Sequence, residues 1–424
     1  MLAQRQMVGV FLVFAFAYFL STLMRAITAT LSPALTQELS LSAQDLGLLA
    51  GGYFLGFSAT QLPLGKWLDR YGPKTVIMSF LVIAVLGCAA FATANSFLGL
   101  WLARFLCGVG VSACLMAPLT GYRRWMDAGA QLRANSWMLM TGSLGMLAST
   151  LPVQWLMPFT GWRAIFAALA GLVVLAIFLI YKVVPIWEKP QANLNPSAQE
   201  EKGYGPVWRN AYFWRMAPVG FFCYAGMLAV QTLWAGPWMT VVGGYTPLSA
   251  ATGLFAINLC MLVTFWVWGL ITPRLSKRGI SANQLIAWGQ PLSFAVLFGV
   301  IWLGPDLGAG TAAALALFCM ASTFVALAQP AVGMAFPPHL AGRALSAYNL
   351  VIFVGVFVVQ WALALALTSS SHWVGRLFCR FSQLSRSLVC VRFCPMFIFI
   401  GQTAIIRHDR NSHRRPCAFG LCLA

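Results

Sequence analysis

Apolar windows of bilayer length recur about every 25 to 35 residues along the chain, separated by short polar connections. They predict membrane-crossing helices at 7–30, 46–64, 75–94, 97–120, 134–157 and 163–183. A polar stretch at 187–209 then interrupts the series, with Glu188, Lys189, Pro190, Pro196, Glu200, Glu201 and Lys202. It reads as a linker. Five more windows follow at 214–240, 249–272, 283–303, 309–335 and 343–367. The expected organisation is a six-span half at 1–186, a linker at 187–212, a half with five clear spans at 213–368, and a tail at 369–424. The apolar run from Met7 is too long for a signal peptide and contains Arg25, so it reads as an uncleaved first span.

The tail breaks the pattern. Arg376, Arg380, Arg386, Arg392, Arg407, Arg410, Arg414 and Arg415 crowd into it, with Cys379, Cys390, Cys394, Cys417 and Cys422. Its one candidate for a twelfth span, 388–406, contains Arg392. A guanidinium near a helix centre costs about 2.5–3.5 kcal/mol on insertion scales, less if it snorkels to the headgroups. The segment reads as a stretch translated in another frame, with a regulatory tail as the alternative. His408, His413, Cys417 and Cys422 fit no zinc-ligand spacing.

Composition narrows the class. The 424 residues are 60% hydrophobic and 8% charged, against about 25% charged in soluble domains. So few charges cannot solvate a globular surface of this size, and the fold class expected is an all-α polytopic membrane protein. The net charge of +18 does not point to nucleic acid, because the cations alternate between connections. One set holds Arg5, Lys66, Arg70, Lys74, Arg123, Arg124, Arg133, Lys182, Lys189, Lys202, Arg209, Arg215, Arg274, Lys277, Arg278 and Arg343; the other holds Arg163. The positive-inside rule then places the N-terminus and the linker in the cytoplasm of a multi-pass protein of the cell (inner) membrane. The 11 cysteines form no CxxC pair, so neither a metal site nor a cofactor is expected.

The turn between the second and third spans reads Gly65-Lys66-Trp67-Leu68-Asp69-Arg70-Tyr71-Gly72-Pro73-Lys74. This G-x-x-x-D-R-x-G-x-K pattern resembles the loop motif of the major facilitator superfamily. An echo of it lies at Gly269 to Arg274, followed by Lys277, Arg278 and Gly279, with Pro273 at the aspartate position. Arg133-Ala134-Asn135-Ser136 leading to Gln154-Trp155 is echoed by Arg343-Ala344-Leu345-Ser346 leading to Gln360-Trp361. Both echoes are offset by about 205 residues, as expected of two related halves. The resemblance implies two pseudo-symmetric six-helix bundles working by alternating access, here with eleven clear spans and an atypical twelfth. It also implies that Gly65, Asp69, Arg70, Gly72 and Lys74 form a gate latch in which Asp69 accepts from a neighbouring span.

Two ionisable residues lie in the predicted spans before the tail, Arg25 and Arg104, and no Asp or Glu does. A cavity whose fixed charges are guanidiniums favours anions, and the planar fork of Arg suits carboxylate or phosphate. Arg25, near Tyr18, resembles the first-span arginine of the anion:cation symporter and sugar-phosphate-permease-like branches; Met24 stands where that pattern shows Asp. Snorkelling is the other reading of Arg25. Arg104 heads Arg-x-x-x-Gly108-x-Gly110, which resembles the fourth-span motif tied in the family to coupling or conformational change. A structural bond to backbone carbonyls is its other reading. The drug:proton antiporters' glycine–proline pattern is not found in the fifth span, Thr141 to Pro152.

Gln231, Trp234, Trp238 and a Gly236-Pro237 break suggest a bent seventh span facing the cavity, with Asn258, Gln329 and Asn349 as further substrate candidates. Each is equally an interhelical hydrogen-bonding residue. The function expected is secondary transport of a small organic anion by a monomer in the lipid bilayer. Proton symport is implied by the resemblance alone. Alternatives are an exporter of drugs or metabolites on the same fold, or a sensor without flux. An interfacial enzyme would show His/Asp/Glu clusters, which the chain lacks before the tail.

Overall fold

The computed structural model describes residues 3–126, 128–186 and 203–368. Most of the linker, the whole tail and the candidate twelfth span at 388–406 lie outside the described residues, as do His408, His413, Cys417 and Cys422. Helices dominate, and no strand occurs among the described residues. In chain order they are α1 (Gln4–Leu39), α2 (Ala43–Ala59), α3 (Gln61–Thr93), α4 (Phe97–Val111), α5 (Ala113–Trp125), α6 (Ala128–Ala148) and α7 (Leu151–Val183). Then follow α8 (Gly205–Trp208), α9 (Ala211–Pro218), α10 (Ala225–Ala229), α11 (Ala235–Val241), α12 (Pro247–Lys277), α13 (Ala282–Leu303), α14 (Thr311–Ser322), α15 (Ala328–Met334) and α16 (Pro338–Thr368).

Among the described residues, eight segments are long and apolar enough to cross a membrane. One, Ala282–Met334, runs 53 residues and holds both windows expected at 283–303 and 309–335, joined by a 3-10 turn at Gly304–Gly310. At 17 residues α2 falls just short of a full span, and so does the apolar run Trp137–Ala148.

Several expected spans prove to be interrupted. The window at 46–64 breaks at Thr60, between α2 and α3, and the window at 97–120 breaks at Ser112, between α4 and α5. The two breaks meet: the Thr60 hydroxyl donates to Ser112 Oγ at 2.8 Å. The window at 134–157 breaks at Ser149-Thr150, where Pro152 opens α7. There the freed Ser149 carbonyl accepts from Thr30 Oγ1 of α1 at 2.8 Å.

Helix ends sort into two faces. One, the basic face, carries Lys66, Arg70, Lys74, Arg274, Lys277, Arg278 and Arg343. The opposite face carries Glu38, Asp45, Asp306 and Arg163. Asp45 completes a capping box with Ser42 at the start of α2. Glu38 pairs with Arg163 and accepts from Trp162 Nε1 at 2.6 Å, while Arg163 Nη2 also donates to Asn95 Oδ1 at 3.0 Å. This cluster ties α1, the α3–α4 turn and α7 at that face.

Apolar helices in lipid gain little from hydrophobic burial against one another, so close packing of small residues draws them together. Gly56 and Gly108 let α2 and α4 touch backbone to backbone: a Cβ on Gly108 would collide with the Tyr53 carbonyl, and one on Gly56 with that of Phe105. Gly110 fits against the Ala84 backbone of α3 in the same way. Gly142 and Gly145 of α6 accept Tyr18 and Thr22 of α1. Gly108→Val is expected to lower the thermal midpoint in detergent by several degrees, since overpacking costs about 1–3 kcal/mol. Size-exclusion fluorescence after a heating series reads this; an unshifted midpoint would refute the close packing of α4 on α2.

At the face carrying Glu38, helices far apart in sequence close on each other. A Cβ on Gly47 of α2 would strike Ala364 of α16, and one on Gly51 would lie 2.8 Å from the Phe357 ring. Gly236 of α11 abuts the Ala29 carbonyl of α1 in the same manner, at 3.0 Å.

Candidate functional site

Arg25 leaves α1 midway along the bundle. Its Cζ sits 5.5 Å from the centre of the Phe57 ring of α2 and 5.4 Å from that of Phe353 of α16. Tyr18, Tyr53 and Tyr224 lie near enough for their hydroxyls to feel its charge, with Tyr53 within hydrogen-bonding reach. The Tyr53 hydroxyl also meets the Ser21 carbonyl at 3.0 Å. The Arg25 Nε is buried and has no hydrogen-bond partner among the described residues. Arg25 does not snorkel here: it turns inward, between α2 and α16.

Arg104 lies on the other side of Tyr53, its Cζ 5.0 Å from that ring. It is 1% exposed. Nη1 donates to the Met24 carbonyl at 2.8 Å, while Nε and Nη2 have no partner among the described residues. Cys88 and Cys107 pack beside it, Sγ to Sγ 3.9 Å. The Gly108 and Gly110 contacts described above bring α4 close enough for this reach. Tyr53 therefore stands between two guanidiniums.

The amide candidates form two pairs. Gln231 Nε2 donates to Asn258 Oδ1 at 2.8 Å, and Asn258 Nδ2 to the Leu254 carbonyl of its own helix at 2.9 Å. Gln329 Nε2 donates to Asn349 Oδ1 at 2.6 Å. Asn349 stands one turn before Phe353 on α16, so this second pair borders the Arg25 site toward the basic face. Trp234 and Trp238 are both buried, 5% exposed each.

The break expected at Gly236-Pro237 does not occur; α11 runs through both residues. The irregularity falls earlier, in two π turns at Val219–Tyr224 and Val230–Trp234. A proline stands near each. Pro218 precedes the first, and Pro237 follows the second, where it lacks the N–H that would reach back to Leu233. The carbonyls it displaces are taken up in wider turns. Gln231 and Thr232 sit inside the second π turn. Thr232 Oγ1 accepts from Gln360 Nε2 at 3.1 Å, and the Gln360 Oε1 is buried without a donor among the described residues.

At the basic face, α3 contains one residue of non-helical backbone, Gly72 at φ 79°. That value lies in the region open to glycine, and Pro73 then starts the next helical run. Gly279, in the sequence echo, also has φ 79°. Lys74 Nζ donates to the carbonyls of Tyr181 and Val184, at 2.8 and 2.7 Å, and so caps the C-terminal end of α7. Arg70 is exposed and lies over the Tyr71 ring at 5.2 Å. Gly65 has room: a Cβ there would meet the Tyr204 hydroxyl at 3.8 Å. The Asp69 side chain lies outside the described residues, and with it the latch contact.

Sequence reasoning missed Tyr53, Phe57, Tyr224, Phe353, Thr232 and Gln360. The aromatic residues carry no mark that separates a ring facing Arg25 from one facing lipid. Gln360 did carry a signal, as the echo of Gln154. Among the described residues no three His, Cys, Asp or Glu side chains cluster to hold a metal.

The family profile described as Major Facilitator Superfamily matches residues 14–360. A protein of Cupriavidus necator described as a probable sulfoacetate transporter, SauU, is 25% identical over 342 residues, covering 77% of this chain and 78% of its own. The hexuronate transporter of Escherichia coli is 24% identical over 308 residues, covering 68% and 69%. Among solved structures, a bacterial homolog of the human lysosomal transporter Spinster, titled as inward-facing and unoccupied, superimposes with a TM-score of 0.75 at 15% identity, over 96% of this chain and 99% of that one.

Proposed function

The chain belongs to the major facilitator superfamily, and on that premise we propose that this membrane transporter carries a small organic anion across the cell membrane by alternating access. The observation that carries the reading is Arg25: a guanidinium held mid-bundle between two aromatic rings, its Nε without a hydrogen-bond partner among the described residues. Such a group is expensive in a bilayer interior and favours a carboxylate or sulfonate partner. The names of the two relatives, a sulfoacetate and a hexuronate transporter, agree with that chemistry.

In this reading the N-terminus and linker are cytoplasmic, and 1–186 and 213–368 rock as two halves of a monomer about the Arg25 site. The contacts of Gly47, Gly51 and Gly236 then close the outer side. Arg25, Tyr18, Gln231, Asn258, Trp234, Trp238, Gln329 and Asn349 line the substrate path. The Gly65–Lys74 turn and Arg104 with Gly108 and Gly110 serve the change of state. Proton symport, implied by the family resemblance, needs a protonatable group near Arg25; the carboxylates of the described residues stand at the helix ends.

The test is uptake of isotopically labelled glucuronate, sulfoacetate and glucose by cells expressing the chain. Saturable uptake of at least one anion, with glucose at background, is expected. Glucose uptake with both anions at background would refute the anion reading. An exporter would instead accumulate its compound in inverted vesicles, and a sensor would bind without flux in either orientation.

A further inference from the structure

We propose that the chain is an anion exchanger, in which the central site changes face rapidly only with an anion against Arg25, so that one anion enters as another leaves. This rests on the reading of Arg25 as the anion site and extends it to the coupling. Two guanidiniums flank Tyr53. Their charge is met by ring faces, hydroxyls and the Met24 carbonyl, with no carboxylate beside them among the described residues. Among the described residues, two nitrogens of the buried Arg104 and one of Arg25 have no hydrogen-bond partner.

A guanidinium keeps its proton at any pH a cell reaches. The positive charge therefore stays with the site in every conformation. Closing both ends of the bundle over Arg25 strips water from it. The rings of Phe57 and Phe353 replace part of that hydration. A carboxylate or sulfonate replaces more, through two parallel charge-assisted hydrogen bonds. The occluded state that must be crossed is thus lower for the loaded site than for the bare one.

A proton symporter escapes this through a group that releases its proton when the site is unloaded and so supplies a negative counter-charge. Among the described residues, the titratable neighbours of the two arginines are Tyr18, Tyr53, Tyr224, Cys114, Cys88 and Cys107. None of them is a carboxylate or an imidazole, the imidazole being the side chain whose ordinary charge change falls in the pH range of a cell. The return leg then falls to a second anion, and a swap of equal valence moves no net charge.

The experiment uses the full chain in proteoliposomes, with labelled glucuronate and sulfoacetate as probes and their binding first confirmed by tryptophan fluorescence. Uptake is expected to be at least tenfold faster into vesicles preloaded with the unlabelled probe than into vesicles holding sorbitol and polymeric polyglutamate. A pH gradient of one unit, acid outside, should change either rate less than twofold. Equal rates with and without preloading, or a tenfold drive by the pH gradient, would overturn exchange while leaving the anion site standing. Absence of binding by both anions, with saturable binding of a neutral sugar, would overturn the anion reading itself.

A second variant tests the cause. Cys114 is buried on α5, close enough to interact with the Arg25 charge. Cys114→Asp supplies the missing counter-charge and should bring the preloading ratio from tenfold toward one, while Cys114→Asn keeps it. A folded Cys114→Asp protein that retains the tenfold ratio would overturn the charge argument. If that variant does not fold, the native preloading comparison decides alone.

Discussion

Arg25→Ala is expected to reduce saturable anion uptake by at least about thirtyfold, with normal insertion and thermal midpoint. Removing one partner of a desolvated charge pair costs about 2–5 kcal/mol, and each 1.36 kcal/mol is a factor of ten. The fold should tolerate the change, because the guanidinium contacts ring faces and hydroxyls rather than closing a helix junction. Arg25→Lys should recover part of the rate: it keeps the charge but loses the fork. Uptake at the native rate by the alanine variant, measured per folded molecule, would remove the anion site.

Arg104→Met separates the two readings of that residue. Replacing a buried charge that lacks an anionic partner with an apolar side chain of similar size is often neutral or stabilising. One hydrogen bond to the Met24 carbonyl is lost, worth about 1.5–3 kcal/mol for a charged donor. The desolvation of a fully buried guanidinium is relieved at the same time. The expected outcome is a thermal midpoint within a few degrees of native, together with at least a tenfold loss of transport. A midpoint lowered by more than about ten degrees, with transport per folded molecule intact, would make Arg104 a purely structural tie between α4 and α1.

The apolar windows revealed the helices because bilayer length imposes a long, unbroken signal. The turn at Gly72 was equally visible: a glycine before a proline marks the end of one helix and the start of another, and Gly279, though followed by Ile280, shares its positive φ. The breaks at Thr60 and Ser112 were hidden, since each sits within an apolar run and is offset by a hydrogen bond to the other, 52 residues away. The Gln231–Asn258 and Gln329–Asn349 pairs were legible as candidates but not as pairs, because helix rotation decides which amide meets which. Pro237 announced an irregular seventh span, yet its form depends on how displaced carbonyls find new donors. Lys74 was read as a cytoplasmic cation; its hold on the end of α7, 107 and 110 positions along the chain, is purely a matter of tertiary placement.

The wide turns at Val219–Tyr224 and Val230–Trp234 have a consequence for deletions. A wide turn holds one residue more than an ordinary one. One residue lost from a regular helix turns everything beyond it by about 100°. A loss inside Val230–Trp234 would instead be met by tightening the turn, leaving Gly236 against the Ala29 carbonyl of α1.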